Sequence, residues 1–264
     1  MPSSRSRATG SPPGPDLERN QVRFAALARD LLGERVATIV EVGARDCRET
    51  LGFRTAFPAA RVYAFECNPD TLPACRAAVA GMAGVQLIER AVSEHPGRVK
   101  FYPVDPATNP GASSLYRAAP GFTLEKYVQR EVEVEAVTLR SFLEEAGLRE
   151  VDLLWMDIQG AELAALRGLG PRIADVKLAH LEVEFEEVYS GQPLFGELRD
   201  FLTANGFAFL GFTIYARHSA DAVFANRRAF SRFDIVRALL AHSVLVRKRL
   251  TYARHRLKRL LRLQ

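Results

Sequence analysis

The chain has 264 residues, 48% apolar and 25% charged, enough to bury one substantial core and too few for two equal domains. Its formal net charge of +5 is unevenly spread: from Arg227 onward 12 Lys/Arg stand against one acid, Asp234, leaving 24 basic and 30 acidic residues before it. A nucleic-acid reading of the overall charge would therefore rest on the tail alone.

Residues 1–16 are rich in Ser, Pro and Arg, lack the apolar stretch of a secretory signal, and read as a disordered leader. No later run reaches the roughly 18 apolar residues of a membrane span. Cys47, Cys67 and Cys75 form no CxxC pair and are odd in number, which argues against a disulfide framework or zinc knuckle and for a reducing cytoplasm.

Leu17 to Leu32 places Phe24, Leu27, Ala28, Leu31 and Leu32 at helical spacing before Gly33, a covering helix ahead of the first strand. Strands are then predicted over 36–42, 61–66 and 85–90, with helices over 49–57 and 69–80 between them. Residues 98–135 interrupt this alternation with a loop rich in Pro, Asn, Gly and Ser, an insertion expected to act as a lid over the acceptor site. The rhythm resumes with a helix over 138–146, a strand over 151–157, a helix from Ala161, a strand over 175–184 and a helix over 194–205. Two closely spaced strands, 207–212 and 221–226, can be joined by a hairpin but not by a helical crossover. The expected fold is α/β: a doubly wound, mostly parallel seven-stranded sheet ending in an antiparallel hairpin strand, within a domain spanning 17–230.

In such a sheet the ligand sits at the carboxyl ends of the strands, gripped by the first strand-loop-helix unit, here IVEVGARDCRET. Gly43 allows close approach of backbone to ligand, while Glu41 and Asp46 set carboxylates beside it. One glycine with adjacent acids suits a cation and repels the pyrophosphate that a GxGxxG loop would hold, which disfavours NAD, FAD and ATP. Glu66 ends the second strand, 23 residues beyond Gly43, where a carboxylate can accept from two ribose hydroxyls; a cap on the helix entered through Asn68 and Pro69 is the competing role. Together these residues imply an adenosine without phosphates. Cys47 and Cys67, at the ends of neighbouring strands, read as small semi-buried residues.

The segments EVGARDC, YAFECNP, ERAVSE, NPGASSL and LWMDIQGAELAALRG, in that order, resemble the FkbM-type methyltransferases over roughly residues 36–226. The resemblance implies a class I, Rossmann-like fold that uses S-adenosylmethionine to methylate hydroxyl groups of sugars, glycans and related natural products. Carried over by position, it implies a cofactor loop of Glu41, Gly43, Ala44 and Asp46, the ribose acid Glu66, and an adenine wall including Ala91 and Val92. The chain departs from the usual pattern at Glu41, where Asp is commoner, at Cys47, where Gly is commoner, and at Ile158 and Gln159, where Val-Glu is usual.

Methyl transfer to oxygen is an in-line displacement that requires the acceptor hydroxyl to lose its proton to a base or a metal. Asp157 and Glu162 flank Gly160 after the fourth strand, and Asp157 is the first choice for the base or for an oxygen ligand of a divalent cation such as Mg²⁺. For Glu162 a favourable charge in the first turn of a helix is an equal alternative. His180, Glu182 and Glu184 alternate on the fifth strand and share one face, so they join the candidates; no set has a distinctive metal spacing. Asn109, Ser113 and Ser114 are available to a polyol acceptor or to turn formation.

From 231 to 264 Leu and Val recur at helical spacing among Arg and Lys, a basic amphipathic helix. It suits an anionic membrane surface, at the inner face of the membrane for a cytoplasmic enzyme, or alternatively its own domain or a homodimer mate; nucleic acid is disfavoured because from Ile235 onward no aromatic residue other than Tyr252 is interleaved with the charges. The non-enzymatic alternative is an inactive adenosine-binding module that tethers a glycan-assembly complex by this tail.

Overall fold

The computed structural model describes residues 15–262; most of the expected leader lies outside that range. Helix α1 (Pro15–Leu32) is followed by β1 (Thr38–Val42), α2 (Arg48–Ala56), β2 (Arg61–Phe65), α3 (Leu72–Val79) and β3 (Val85–Ile88). After the short β4 (Ala91–Val92) come β5 (Gly97–Phe101), β6 (Val132–Val137), α4 (Leu139–Glu145), β7 (Val151–Met156), α5 (Glu162–Arg167) and β8 (Val176–Glu184). The chain continues through α6 (Phe195–Ala204), β9 (Phe207–Tyr215), β10 (Ser219–Asn226), α7 (Arg232–Ala241) and α8 (Ser243–Arg262).

Seven strands form one sheet in the order β3-β2-β1-β7-β8-β10-β9. Pairing is parallel from β3 to β8, whereas β10 runs antiparallel to both β8 and β9. The hairpin expected from sequence is thus present, with its antiparallel strand inserted one place from the edge. Every residue of β7 is buried, the mark of a central parallel strand covered on both faces. Its side chains alternate: Leu154 and Met156 enter a core closed by Phe142, Leu166 and Phe195, while Leu153 and Trp155 enter a second core closed by Phe24, Phe53 and Leu245.

The insertion pairs into a separate three-stranded sheet, β4-β6-β5, which holds the segment between β5 and β6 over the carboxyl ends of the main strands.

Two expectations are corrected. Cys47, at the start of α2, and Cys75, in α3, form a disulfide with their Cα atoms 5.3 Å apart, leaving only Cys67 free. Counting cysteines missed this because the partners lie on successive helices that converge only when β1 and β2 pair; with it goes the cysteine argument for a reducing compartment. The basic tail is two helices rather than one, broken at His242. Gly211 of β9 admits the break closely: a Cβ there would stand 2.3 Å from the Leu245 carbonyl oxygen. Among the described residues no helix is long and apolar enough to cross a membrane.

Candidate active site

The loop after β1 turns sharply over the sheet edge, with Gly43 at φ +91° and its amide, like that of Ala44, donating to the Phe65 carbonyl at 3.0 and 2.9 Å. A Cβ on Gly43 would lie 2.0 Å from the Asp157 carbonyl oxygen, so only glycine lets the ends of β1 and β7 approach this closely. Arg45 and Cys47 also hold positive φ values, +50° and +61°. The glycine usual at the second of these positions would fit without Cβ strain; here the disulfide to Cys75 holds the turn instead.

Glu66, at the end of β2, accepts from three backbone amides: Arg45 at 2.6 Å on Oε2, and Cys67 and Asn68 at 2.8 and 2.6 Å on Oε1. Glu66 also lines the cleft, whereas none of its three amide donors lies in α3, which begins only at Leu72, so it does not cap that helix. Burial raises its pKa above the ordinary carboxylate value, and the amide hydrogen bonds oppose that rise.

The cleft is partly open to solvent, with a cavity volume of about 90 Å³. Its acidic side carries Glu49, Glu66 and Asp157, its apolar wall Phe65, Ala91, Val92 and Phe101, and Arg45 and Arg90 also face it. Gly111, Ser113 and Leu115 of the insertion roof it.

Asp157 is exposed at the carboxyl end of β7 and is linked to a buried acidic group through Gln159. The Gln159 amide donates to Asp157 Oδ1 at 2.6 Å and to Glu182 Oε2, its Oε1 accepts from the Tyr189 hydroxyl at 2.8 Å, and its carbonyl accepts from Ser114 Oγ at 2.7 Å. Gln159 does this at φ +55°. Burial, followed by the neighbouring Asp157 and Glu184, pushes Glu182 well above the carboxylate range; burial, followed by Glu162 and Asp157, does the same to Glu184. In both, burial disfavours the charged form. Tyr127 stacks on Tyr189 at 6.0 Å and on Phe122 at 5.9 Å, an aromatic face beside these carboxyls.

Of the residues singled out from sequence, Gly43, Glu66, Ala91, Val92 and Asp157 line this one cleft, with Glu182 tied to Asp157 behind it. Glu41 lies beneath the loop: Thr50 Oγ1 donates to its Oε2 at 2.6 Å, its Oε1 has no partner among the described residues, and burial raises its pKa to about 8. Ala44 is packed against Cys47, Ala64 and Cys75, and Asp46 pairs with Arg48 at 2.9 Å, so neither lines the cleft. Glu162 accepts from the Ile158 amide at 2.8 Å and shapes the turn after β7; burial raises it to about 8. His180 points into the core, stacked on Trp155 at 3.8 Å, with Nε2 2.9 Å from Thr213 Oγ1 and 3.1 Å from Asn20 Oδ1. Burial lowers its pKa to about 3, so it stays neutral, and it does not line the cleft. Asn109 donates to Glu125 at 3.0 Å, and Ser114 is buried against Gln159.

Arg45, Glu49, Asn68 and Gln159 were not anticipated. Gln159 had a signal, as a polar residue replacing the usual Glu beside Asp157. The others sit on loops and helix starts whose facing no periodicity gives. Among the described residues no group of three or more His, Cys, Asp or Glu is placed to hold a metal ion.

The family model described as the methyltransferase FkbM domain matches residues 41–209. The chain is 29% identical over 168 residues to 2-O-methyltransferase NoeI of Sinorhizobium fredii (strain NBRC 101917 / NGR234), a match covering 61% of this chain and 69% of that protein. Among solved structures it is similar to a methyltransferase FkbM from Methylobacillus flagellatus KT, with 13% identity and a TM-score of 0.48, over 71% of this chain and 43% of that one. The chain thus spans less than half of that protein's length. It is also similar to a magnesium protoporphyrin IX methyltransferase from Synechocystis PCC 6803 with bound S-adenosylmethionine, at 12% identity and a TM-score of 0.41, over 80% of each chain.

Proposed function

From the premise that this chain belongs to the FkbM methyltransferase family, and is an S-adenosylmethionine-dependent methyltransferase, we propose that it transfers the methyl group to a hydroxyl oxygen of a sugar, glycan or related polyhydroxylated acceptor. Its relative NoeI is a 2-O-methyltransferase, which supports oxygen as the acceptor atom. The observation that carries the reading is Asp157, exposed in the same cleft as Gly43 and Glu66 and tied through Gln159 to Glu182.

The residues present fit the cofactor. Gly43 lines the cleft, the carboxylates of Glu49, Glu66 and Asp157 suit a cation, and the apolar wall of Phe65, Val92 and Phe101 suits an adenine ring. Glu66 places its carboxyl in the cleft, where it would meet a ribose hydroxyl, and Arg45 or Arg90 supplies a cation for the amino-acid carboxylate. When bound, the cofactor supplies an electrophilic methyl on a sulfonium. Asp157 accepts the proton that the acceptor hydroxyl sheds as the new O–C bond forms. Gln159 holds the carboxyl in place, while Glu182 and Glu184, whose charged forms burial disfavours, would donate hydrogen bonds to acceptor hydroxyls when protonated. The Tyr127–Tyr189 face offers a sugar ring an apolar surface beside those donors, and the roof of the insertion excludes water.

The test pairs calorimetric titration of S-adenosylmethionine with a methyl-transfer assay on nucleotide sugars and oligosaccharides. Asp157→Asn should bind the cofactor within about threefold of the parent and lose at least 100-fold in transfer. Retained transfer would dismiss Asp157 as the base. A divalent cation, the other route for relieving the hydroxyl of its proton, would draw its oxygens from these same carboxylates. Loss of transfer in excess chelator would assign it that part.

A further inference from the structure

Helix α8 presents two unlike faces. The inner one is anchored: Leu245 is buried against Gly211, Tyr252 packs against Phe185, Phe195 and Phe212, and Arg249 lies over the Phe209 ring. The outer one carries Leu250, Leu257 and Leu261, spaced so that they fall on one line along the helix, and these are 52%, 58% and 62% exposed. Arg247, Arg254 and Lys258 edge the same line. Across Ser243–Arg262 the sequence has eight Lys/Arg and no acid, so nothing in the helix neutralises this face. The neighbouring α7 repeats the device: Phe233, Val236 and Leu240 share a face and are 75%, 53% and 78% exposed, while Ala238 and Ile235 turn inward.

We propose that this outer face of α8, with the exposed face of α7 beside it, docks the enzyme on an anionic lipid surface. The chemistry matches on both counts. Leucines in a single line can enter the boundary between headgroups and acyl chains, and the flanking guanidinium and ammonium groups then lie at the depth of the lipid phosphates. A nucleic acid would use the charges but leave the leucines in water. Rigid packing of the inner face keeps the helix formed before it meets the membrane, which removes the ordering cost that a free peptide would bear. The docked face also has a position relative to the reaction. Tyr252 stacks on Phe185, the residue following β8, and His255 bonds Tyr215 at 3.0 Å, so the outer half of α8 stands on the same carboxyl-end side of the sheet as the cleft.

The experiment is flotation of the full-length protein with vesicles of phosphatidylcholine alone or with roughly 30% phosphatidylglycerol. Binding should require the anionic lipid and weaken on raising salt from about 0.1 to 0.5 M. It should fall at least about 25-fold in Arg254→Glu/Lys258→Glu, each basic group being worth about fivefold near such a surface. It should also be lost in Leu250→Ser/Leu257→Ser/Leu261→Ser. Unchanged calorimetric binding of S-adenosylmethionine certifies that both variants are folded, and keeps failure of docking distinct from failure of the cofactor reading. Absence of binding to either vesicle, or equal binding to both, overturns the proposal. So does duplex nucleic acid binding that survives loss of the leucines, or a dimer in light scattering that the leucine variant dissolves while vesicles remain unbound.

Discussion

Glu162 illustrates how one side chain can be read two ways and then resolved by its partner. Its carboxyl accepts from the Ile158 amide, inside the turn that sets Asp157 and Gln159 in the cleft. Glu162→Gln keeps an oxygen for that amide and should leave methyl transfer within a few-fold of the parent. Glu162→Ala strands the amide and should cost about 1–3 kcal/mol of stability, read by denaturant unfolding. A large loss of transfer in the Gln variant with stability intact would give Glu162 a chemical part after all. Gly43 is less forgiving. Its φ of +91° and the Asp157 carbonyl 2.0 Å from any added Cβ mean that Gly43→Ala must strain the loop and part β1 from β7. The expected cost is about 2–4 kcal/mol, with loss of detectable S-adenosylmethionine binding by calorimetry.

Between elements, the Cys47–Cys75 link joins the loop after β1 to α3 across 28 residues of chain. Closing a loop of that length stabilises by about 3–4 kcal/mol on the chain-entropy account, while left-handed φ at a residue with a Cβ costs about 1–2 kcal/mol. Cys47→Gly should therefore melt below the oxidised parent and above the reduced parent, a reversal of order that thermal scans with and without reductant would detect. If the Gly variant melts below the parent in both, the left-handed turn is not what limits the reduced loop. The sequence marked Cys47 as a departure from the family pattern but gave no reason to connect it with Cys75. The cross-link exists because the pairing of β1 with β2 brings the following helices side by side.

At the scale of the whole molecule, the strand ends collect more buried carboxyls than cations. Burial raises Glu41, Glu162 and Asp221 to about 8. A carboxyl whose folded value lies above its unfolded one binds extra protons in the native state, so its contribution is full at low pH and is lost as pH rises from the ordinary carboxylate range through about 8. His180, lowered to about 3, acts in the opposite sense and only below the ordinary histidine value. The melting temperature should accordingly fall between pH 6.5 and 9, and Asp221→Asn should flatten the fall; an unchanged slope in that variant would mean Asp221 is ionised in the native protein at neutral pH.

What the sequence determined by itself was whatever local periodicity and glycine placement encode. Strands that alternate between two cores, helices between them, the turn at Gly43, the acid 23 residues later and Asp157 at a strand end are all written in short stretches of chain. Each depends on neighbours a few residues away, and the backbone geometry of those neighbours is nearly fixed. The tertiary structure alone decided which polar side chains meet. His180, Glu182 and Glu184 share one strand face, yet the covering of α1 draws His180 into a core with Trp155 while Glu182 reaches Gln159 at the cleft. The disulfide, the placement of β10 inside β9, and the division of α8 into an anchored and an exposed face likewise arise from contacts between segments far apart in sequence. Such contacts are set by how the layers pack, and no window of residues carries that information.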